Sequence, residues 1–145
     1  MLATVVQDIL DDFQTEDGGS HLIESQATRY AQRALAILGL DLGIGYVIDG
    51  DDVSPEMPES HREIWIMRAK VMACAHLRAR SAGNYSWKSG DESMDRREEA
   101  KRWADLAAAL IDEYETAVHS INPDYDSDEV TASGIGLLAE RGSRG

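Results

Sequence analysis

Apolar side chains recur at alternating intervals of three and four residues between about Arg96 and Ser120, and charged side chains fill the positions between them. This spacing places the apolar residues on one face of an α-helix and the charged residues on the other. Asp95 and Glu98 resemble a capping box, which predicts the start of the helix, and Pro123 predicts its end. The apolar positions are Ala100, Trp103, Ala107, Leu110, Tyr114, Ala117 and Ile121.

A second helix is predicted from about Glu59 to Ala82, and the middle of this segment is apolar on nearly all sides. A helix of this kind is covered by other structure on more than one side. Two sources of that cover stay open: other helices of the same chain, or another copy of the chain. Arg68 and Lys70 interrupt the apolar run, which is also too short to cross a bilayer.

The segment between these two helices contains helix breakers at positions 83–84 and 89–90, so it predicts a turn. Two long helices joined by a short connection usually lie antiparallel. Tyr85, Trp87 and Lys88 form a candidate contact surface at this tip. The indole of Trp87 either folds back over the end of the hairpin or anchors a neighbouring subunit or partner.

Two shorter helices are predicted before the hairpin. The first extends from Met1 to Phe13, and the second begins after a cap at Ser20 and ends at Gly39. Residues 40–60 are rich in glycine, proline and acidic side chains, so they predict a long irregular segment with a brief strand at 46–48. One apolar face of the second helix comprises Ile23, Ala27, Tyr30, Ala34 and Leu38.

Together these elements predict an all-α fold: a small helical bundle built on a long antiparallel helical hairpin, with a long irregular loop and an extended C-terminal tail. The predicted helical domain comprises residues 1–122. Its core is expected to include Trp65, Trp103, Leu110 and Tyr114.

Residues 123–145 are mostly polar and rich in serine, aspartate and glycine. That composition predicts a flexible tail, which we expect to become ordered on contact with a partner. The candidate docking residues of the tail are the apolar Ile135, Leu137 and Leu138 and the basic Arg141 and Arg144.

The chain of 145 residues carries a formal net charge of −13, which argues against a protein whose main role is to grip nucleic-acid phosphates. Its length fits a single domain. Cys74 is its one cysteine, so no intramolecular disulfide forms, and a reducing cytoplasm is the expected compartment of synthesis. No targeting or membrane segment is predicted.

No set of residues in the sequence combines an acid, a base and a nucleophile. Cys74 and His76 are two positions apart on a helix and therefore point in different directions. Asp49, Asp51 and Asp52 lack the remaining ligands of a calcium loop, so a solvated acidic surface loop is expected instead. The sequence thus predicts no enzyme activity, no metal and no cofactor.

The turn and the helix after it resemble the head–tail connector, or adaptor, proteins of long-tailed bacteriophages. The resemblance extends from about Thr4 to Ser120 and is strongest from Trp65 to Tyr114. It rests on a loop of the type Ser-x-x-x-Gly-Asp-x-Ser-x-Asp between two long helices. The matching loop residues are Ser86, Gly90, Asp91, Ser93 and Asp95, and the following helix contributes Ala100, Trp103, Leu106, Ala107 and Tyr114.

This resemblance implies a structural role in the neck of a virion. About twelve copies would form a ring that docks on the portal protein and joins it to a stopper or tail-completion ring. DNA would pass through the ring without specific binding, and an acidic lumen would repel its phosphates. The tail after position 123 and the acidic loop would contact the partner rings.

A second hypothesis belongs to a different class of protein. A small acidic helical regulator could bind another protein or, through its local basic residues, nucleic acid. These residues are Arg68, Lys70, Arg78 and Arg80, but Arg78 and Arg80 do not share a helix face.

Overall fold

The computed structural model describes residues 1–15, 18–85 and 91–125, and in the ranges 82–85 and 91–96 it describes the backbone alone. Across the described residues the chain forms four helices and one two-stranded antiparallel hairpin, which confirms the predicted all-α class. In chain order the elements are α1 (Leu2–Asp12), α2 (Glu24–Leu42), β1 (Val47–Asp49), β2 (Asp52–Ser54), α3 (Glu59–Tyr85) and α4 (Asp91–Ile121).

The long helices α3 and α4 pack together along their lengths, as the predicted hairpin requires. Helix α3 continues through Gly83 and Asn84 to Tyr85, although these residues were expected to end it. A glycine inside a helix costs only about 1 kcal/mol relative to alanine, which packing against a neighbouring helix can offset. Helix α4 begins at Asp91, so the predicted capping box at Asp95 is wrong, because that residue lies inside the helix.

The start of α2 also differs from the prediction. Ser20 lies outside the helix, where its hydroxyl accepts a hydrogen bond from the Leu22 amide at 3.2 Å and supports the connection from α1. The residue at the N-cap position is Ile23. Its amide donates to the side-chain oxygen of Gln26 at 3.0 Å. The acceptor for this amide at the start of α2 is therefore the glutamine three residues further on, and not a serine.

The end of α2 depends on two glycines. The helix passes through Gly39 and ends where Gly43 adopts a φ of +72°, a left-handed conformation that glycine adopts without strain. The amide of Ile44 then turns back and donates to the Gly39 carbonyl at 2.9 Å, which is the Schellman pattern. A Cβ at position 39 would lie 2.7 Å from the Ile44 carbonyl oxygen, so Gly39 permits the close approach of the chain instead of ending the helix.

Part of the segment predicted to be irregular is an ordered β-hairpin. Strand β1 pairs with β2 in the register Val47↔Ser54, Ile48↔Val53 and Asp49↔Asp52, so the predicted strand at 46–48 is displaced by one residue. Gly50 has a φ of +65° in the two-residue turn, as tight hairpin turns require. Strand β1 is stable only when it pairs with β2, and the short polar sequence of β2 does not by itself predict a strand.

Helix α3 is the central helix of the bundle. It contacts α1, α2 and α4, so other helices of the same chain supply the cover that its apolar surface requires. Trp65 is fully buried on it, and its indole nitrogen donates to the Ala31 carbonyl at 2.7 Å. Of the other predicted core residues, Trp103 and Tyr114 are buried and Leu110 is partly buried.

The packed domain extends beyond the predicted boundary at residue 122. Asn122 donates from its side-chain amide to the Asp41 carbonyl at 2.8 Å and accepts from the Asp124 amide at 3.2 Å. Tyr125 is only 8% exposed and belongs to the core. The first residues after Pro123 are therefore part of the fold, whereas the rest of the predicted tail lies outside the described residues.

Candidate functional site: a buried polar cluster and two charged surfaces

Three polar side chains meet where α2, α3 and α4 pack together. Asp41 is 4% exposed, Arg68 is 2% exposed and Tyr114 is fully buried. The Tyr114 hydroxyl donates a hydrogen bond to the Asp41 carboxylate, and the Arg68 guanidinium lies 5.5 Å from the centre of the Tyr114 ring. Each of the three helices thus contributes one member of the cluster.

The environment shifts the protonation equilibria of this cluster. Burial raises the pKa of Asp41, although the Tyr114 hydroxyl and the nearby Arg68 charge both act in the opposite direction, and Glu115 adds to the increase. Burial, followed by the hydrogen bond to Asp41, also raises the pKa of Tyr114. Because a substrate has no access to groups buried this deeply, the arrangement is suited to positioning helices and not to catalysis.

Arg68 has a buried donor, its Nε, that lacks a hydrogen-bond partner among the described residues. A buried cation that has lost part of its hydrogen bonding depends on nearby negative charge and on ring faces for compensation. Asp41 and Tyr114 supply both, which explains why an acid occurs at this buried position.

The acidic loop supports the first helix. The Asp51 carboxylate accepts hydrogen bonds from the terminal ammonium of Met1 and, at 2.7 Å, from the Ala3 amide, and its carbonyl accepts from the Leu2 amide at 2.9 Å. The two hydrogen bonds to its carboxylate, from the terminal ammonium and from the Ala3 amide, lower the pKa of Asp51. Asp51 therefore satisfies donors at the N-terminus of α1, a role that its sequence position does not reveal.

Asp49 and Asp52, the other two acids of this loop, face each other at the end of the β-hairpin. Like Asp51, both are exposed. Carboxylates placed directly opposite each other repel, so this end of the hairpin favours a cation or a basic surface over another acidic one.

A second acidic surface lies between α1 and α3. We call it the acidic groove; it is lined by Asp8, Asp11, Asp12, Glu63, Ile66 and Lys70. Two of its acids are paired, Asp8 with Arg62 at 2.9 Å and Asp12 with Lys70. Asp11 and Glu63 are exposed, and neither has an ion-pair partner among the residues that the structure describes.

A basic surface lies between α2 and α3. We call it the arginine patch and define it as Arg29, Arg33 and Arg80, all of them exposed. Arg29 and Arg33 both act electrostatically on Tyr30, and Arg29 and Arg80 both act on His76. Within the described ranges, none of the three arginines forms an ion pair.

His76 sits within the arginine patch. It shares a hydrogen bond of 3.3 Å with Gln26, and its ring centre lies 6.0 Å from that of Tyr30. Burial lowers the pKa of His76, and the charges of Arg80 and Arg29 lower it further. Burial and the neighbouring arginines thus both favour the neutral form of His76.

Trp103 holds α4 against the connection between α1 and α2. Its ring lies 5.7 Å from Phe13 and 5.2 Å, edge to face, from His21. The guanidinium of Arg102 lies 4.6 Å from the centre of the indole. This predicted core residue therefore stabilises the contact between helices that are far apart in the sequence.

Cys74 and His76 do not form a catalytic pair. Cys74 is fully buried, and burial raises the pKa of its thiol to about 11, so the thiolate is scarce at neutral pH. Across 1–15, 18–85 and 91–125, no three histidines, cysteines or acids cluster as metal ligands would. In those same ranges no helix combines the length and the apolar character needed to cross a bilayer.

Several candidate contact residues cannot be placed. Tyr85 is the last residue of α3, and its side chain lies outside the described part. The same holds for the whole of Trp87 and Lys88 at the tip. The tail residues Ile135, Leu137, Leu138, Arg141 and Arg144 also lie outside the described residues.

The buried cluster was not predicted, although the sequence contains a signal for it. Asp41 follows Ala27 and Ala34 at intervals of seven, so it falls on the apolar face of α2. Arg68 interrupts the apolar run of α3, and Tyr114 lies on the stripe of α4. Opposite charges at buried positions of two helices indicate a paired interior contact, because an unpaired one is costly.

The fold and these surfaces define an all-α helical-bundle protein with a central helical hairpin. Comparison of the chain with protein-family models, with curated proteins and with solved structures finds no match.

Proposed function

We propose that this protein is a structural component of a bacteriophage virion, a head–tail connector. In this role it forms a ring in the neck, docks on the portal protein and joins it to a stopper or tail-completion ring. It carries out no reaction and requires no cofactor. Its location would be the assembled virion, after synthesis in the host cytoplasm.

One observation carries this proposal. The connector-like sequence, Ser86 to Asp95, falls at the junction of two long helices of 27 and 31 residues, and its second half, from Asp91, forms the start of α4 where the resemblance leads us to expect a loop. Two shorter helices and a segment with prolines precede them, in the order expected from the resemblance. The support therefore comes from the agreement between a loop sequence and its position among the helices.

The charge of the chain is compatible with a channel wall. A ring around DNA must let the duplex slide, and basic walls would hold the phosphates in place. The net charge of −13 and the exposed acids Asp49, Asp51 and Asp52 would instead repel them. No specific DNA binding is needed for this role.

The contacts with partner rings are assigned to the ends of the molecule. The tail residues Ile135, Leu137 and Leu138, with Arg141 and Arg144, would dock on the portal protein. The hairpin tip with Tyr85, Trp87 and Lys88 would contact a neighbouring subunit or a partner.

Electron microscopy of the purified protein, alone and with portal rings of the same phage, tests this proposal. We expect rings of about twelve subunits that stack coaxially on the portal, since a head-to-tail interface that closes produces a cyclic assembly. A protein that remains monomeric and ignores the portal at high concentration would refute the connector assignment.

The alternative is a small acidic regulator that binds another protein or nucleic acid. Of the four basic residues first considered for nucleic acid, Arg68 is buried and Lys70 is paired with Asp12, which leaves Arg78 and Arg80. Arg29 and Arg33 are two further exposed basic residues that could contact nucleic acid in place of Arg68 and Lys70. A salt-dependent shift of DNA by the protein would favour this alternative.

A further inference from the structure

We propose that the arginine patch of one copy of this chain binds the acidic groove of the next copy. The inference rests on the proposed function, because it identifies the subunit contact that would build the ring. It assigns a role to the two charged surfaces, for which folding of the single chain provides no explanation.

The arginine patch lacks internal compensation. Some other basic residues of the described ranges have acidic partners: Arg62 binds Asp8 and Glu59, and Lys101 binds Asp105 at 3.0 Å. In contrast, Arg29 and Arg33 lie one turn apart on α2, and Arg80 lies one turn beyond His76, whose ring shares a hydrogen bond of 3.3 Å with Gln26 on α2. Like charges held together repel, so an acidic surface that covers them gains binding energy.

The acidic groove provides the complementary surface. Its carboxylates outnumber its single lining cation, Lys70. Among the described residues neither Asp11 nor Glu63 forms an ion pair; one oxygen of Asp11 accepts from the neutral side chain of Gln7 at 2.8 Å, which leaves the other oxygen for arginine. Arginine binds carboxylates through two parallel hydrogen bonds, which adds direction to the attraction. Ile66 lines the groove but is only 9% exposed, so the contact that the groove offers is mainly polar.

The patch fits a protein surface better than a nucleic acid. Ile23, 63% exposed, lies two residues from His21, whose carbonyl accepts from Arg80 at 3.5 Å. Interfaces between proteins combine arginine with apolar side chains, whereas phosphates gain nothing from an exposed isoleucine. A duplex is also much longer than the patch, so its remaining phosphates would face an otherwise acidic molecule.

The two surfaces do not overlap, which determines the kind of assembly. The patch uses α2 and the C-terminal half of α3, and the groove uses α1 and the N-terminal half of α3. A contact between different surfaces is head-to-tail, and each copy keeps one free surface for the next. Repeated contacts of this type close into a ring or extend into a filament, and a symmetric dimer is not expected.

Charge reversal on each surface tests the contact. The patch variant is Arg29→Glu with Arg33→Glu, and the groove variant is Asp11→Arg with Glu63→Arg; neither change touches an ion pair within the chain. By light scattering and sedimentation we expect each variant alone to associate at least about tenfold more weakly than the unchanged protein. Mixed together, the two variants should assemble again, because each reversed surface finds its complement.

A matched control reverses two basic charges elsewhere. Arg78→Glu with Lys101→Glu changes the net charge by the same amount as the patch variant, at exposed positions outside both surfaces. It also breaks the Lys101–Asp105 pair, but an ion pair this exposed contributes at most about 1 kcal/mol to stability. We expect it to assemble like the unchanged protein. Circular dichroism of all variants should show the same helix content, which separates a lost contact from a lost fold.

The outcomes separate this inference from the function on which it rests. Rings that persist in both variants, or a mixture that fails to reassemble, would overturn the arginine–acid contact and leave the connector proposal standing. Normal assembly of the patch variant with a loss of DNA binding would assign the patch to nucleic acid and also overturn the inference. An unchanged protein that forms no assembly, with or without portal rings, would overturn both.

Discussion

Asp41 shows how much a single residue depends on its neighbours. Its carboxylate accepts from the Tyr114 hydroxyl, and Arg68 lies close enough to affect its pKa. Removal of one member of such a buried set leaves the others without compensation, which usually costs more than the intact contact contributes. The cluster therefore specifies which faces of α2, α3 and α4 meet.

The raised pKa of Asp41 leads to a prediction about pH. Its ordinary value is 3.8 and its folded value is higher, so in the interval between them the folded state holds a proton that the unfolded state has released. The contribution of Asp41 to the free energy of unfolding therefore falls as the pH rises through this interval and is constant above it.

Comparison of the unchanged protein with Asp41→Asn isolates this contribution, since asparagine can still accept from Tyr114 and does not titrate there. Urea unfolding at a series of pH values should give a difference between the two proteins that changes only in the interval above 3.8. Parallel pH profiles for both proteins would contradict the assignment.

At the scale of elements, the end of α2 is decided by where the chain goes next. Gly39 looks like a helix terminator in the sequence, yet it lies inside the helix because the Ile44 carbonyl passes directly over it. The terminator is Gly43, whose positive φ reverses the chain. Propensity predicted Gly39 as the terminator, but only the path of the chain shows that Gly43 has that role.

A prediction follows for Gly39→Ala. The added Cβ would lie 2.7 Å from a backbone oxygen that cannot move independently, so we expect the free energy of unfolding to fall by about 1–3 kcal/mol, as in other overpacked sites. Alanine is otherwise the better helix former, so a simple propensity argument predicts the opposite sign. Thermal or urea unfolding monitored by circular dichroism measures the change.

Gly45→Ala is the matched control for this substitution. Nothing lies within 4 Å of a Cβ at position 45, and no positive φ is present there. We expect a change near zero or a slight stabilisation, because alanine restricts the unfolded chain. Equal effects at positions 39 and 45 would show that the close approach over Gly39 is not the cause.

At the scale of the whole molecule, the packed domain ends later than composition indicates. The segment after Pro123 is polar, but Tyr125 is buried and Asn122 bonds to the end of α2. The average composition of the segment after Pro123 does not reveal that one of its residues, Tyr125, packs in the core. Residues up to Tyr125 therefore pack with the helical domain, beyond the boundary predicted at residue 122.

Two truncations test this boundary. Deletion of residues 126–145 should leave the melting temperature unchanged and, under the proposed function, abolish docking on portal rings. Deletion of residues 123–145 should also lower the free energy of unfolding by about 1.5–3 kcal/mol, the amount that burial of one large side chain contributes. Equal melting temperatures for the two variants would show that Tyr125 does not contribute to stability. Docking by the variant that lacks residues 126–145 would show that the portal contact lies outside the tail.

The amino-acid sequence by itself determined the four helices, the helical hairpin of α3 and α4, the acidic character and the burial of Trp65, Trp103 and Tyr114. These properties follow from periodicity and composition, which are local along the chain. Only the tertiary structure decided that Asp41 meets Arg68 and Tyr114, that Asp51 holds the start of α1, and that the arginine patch and the acidic groove form. Each of these joins residues that are distant in sequence, and a local pattern carries no information about which helix faces come together.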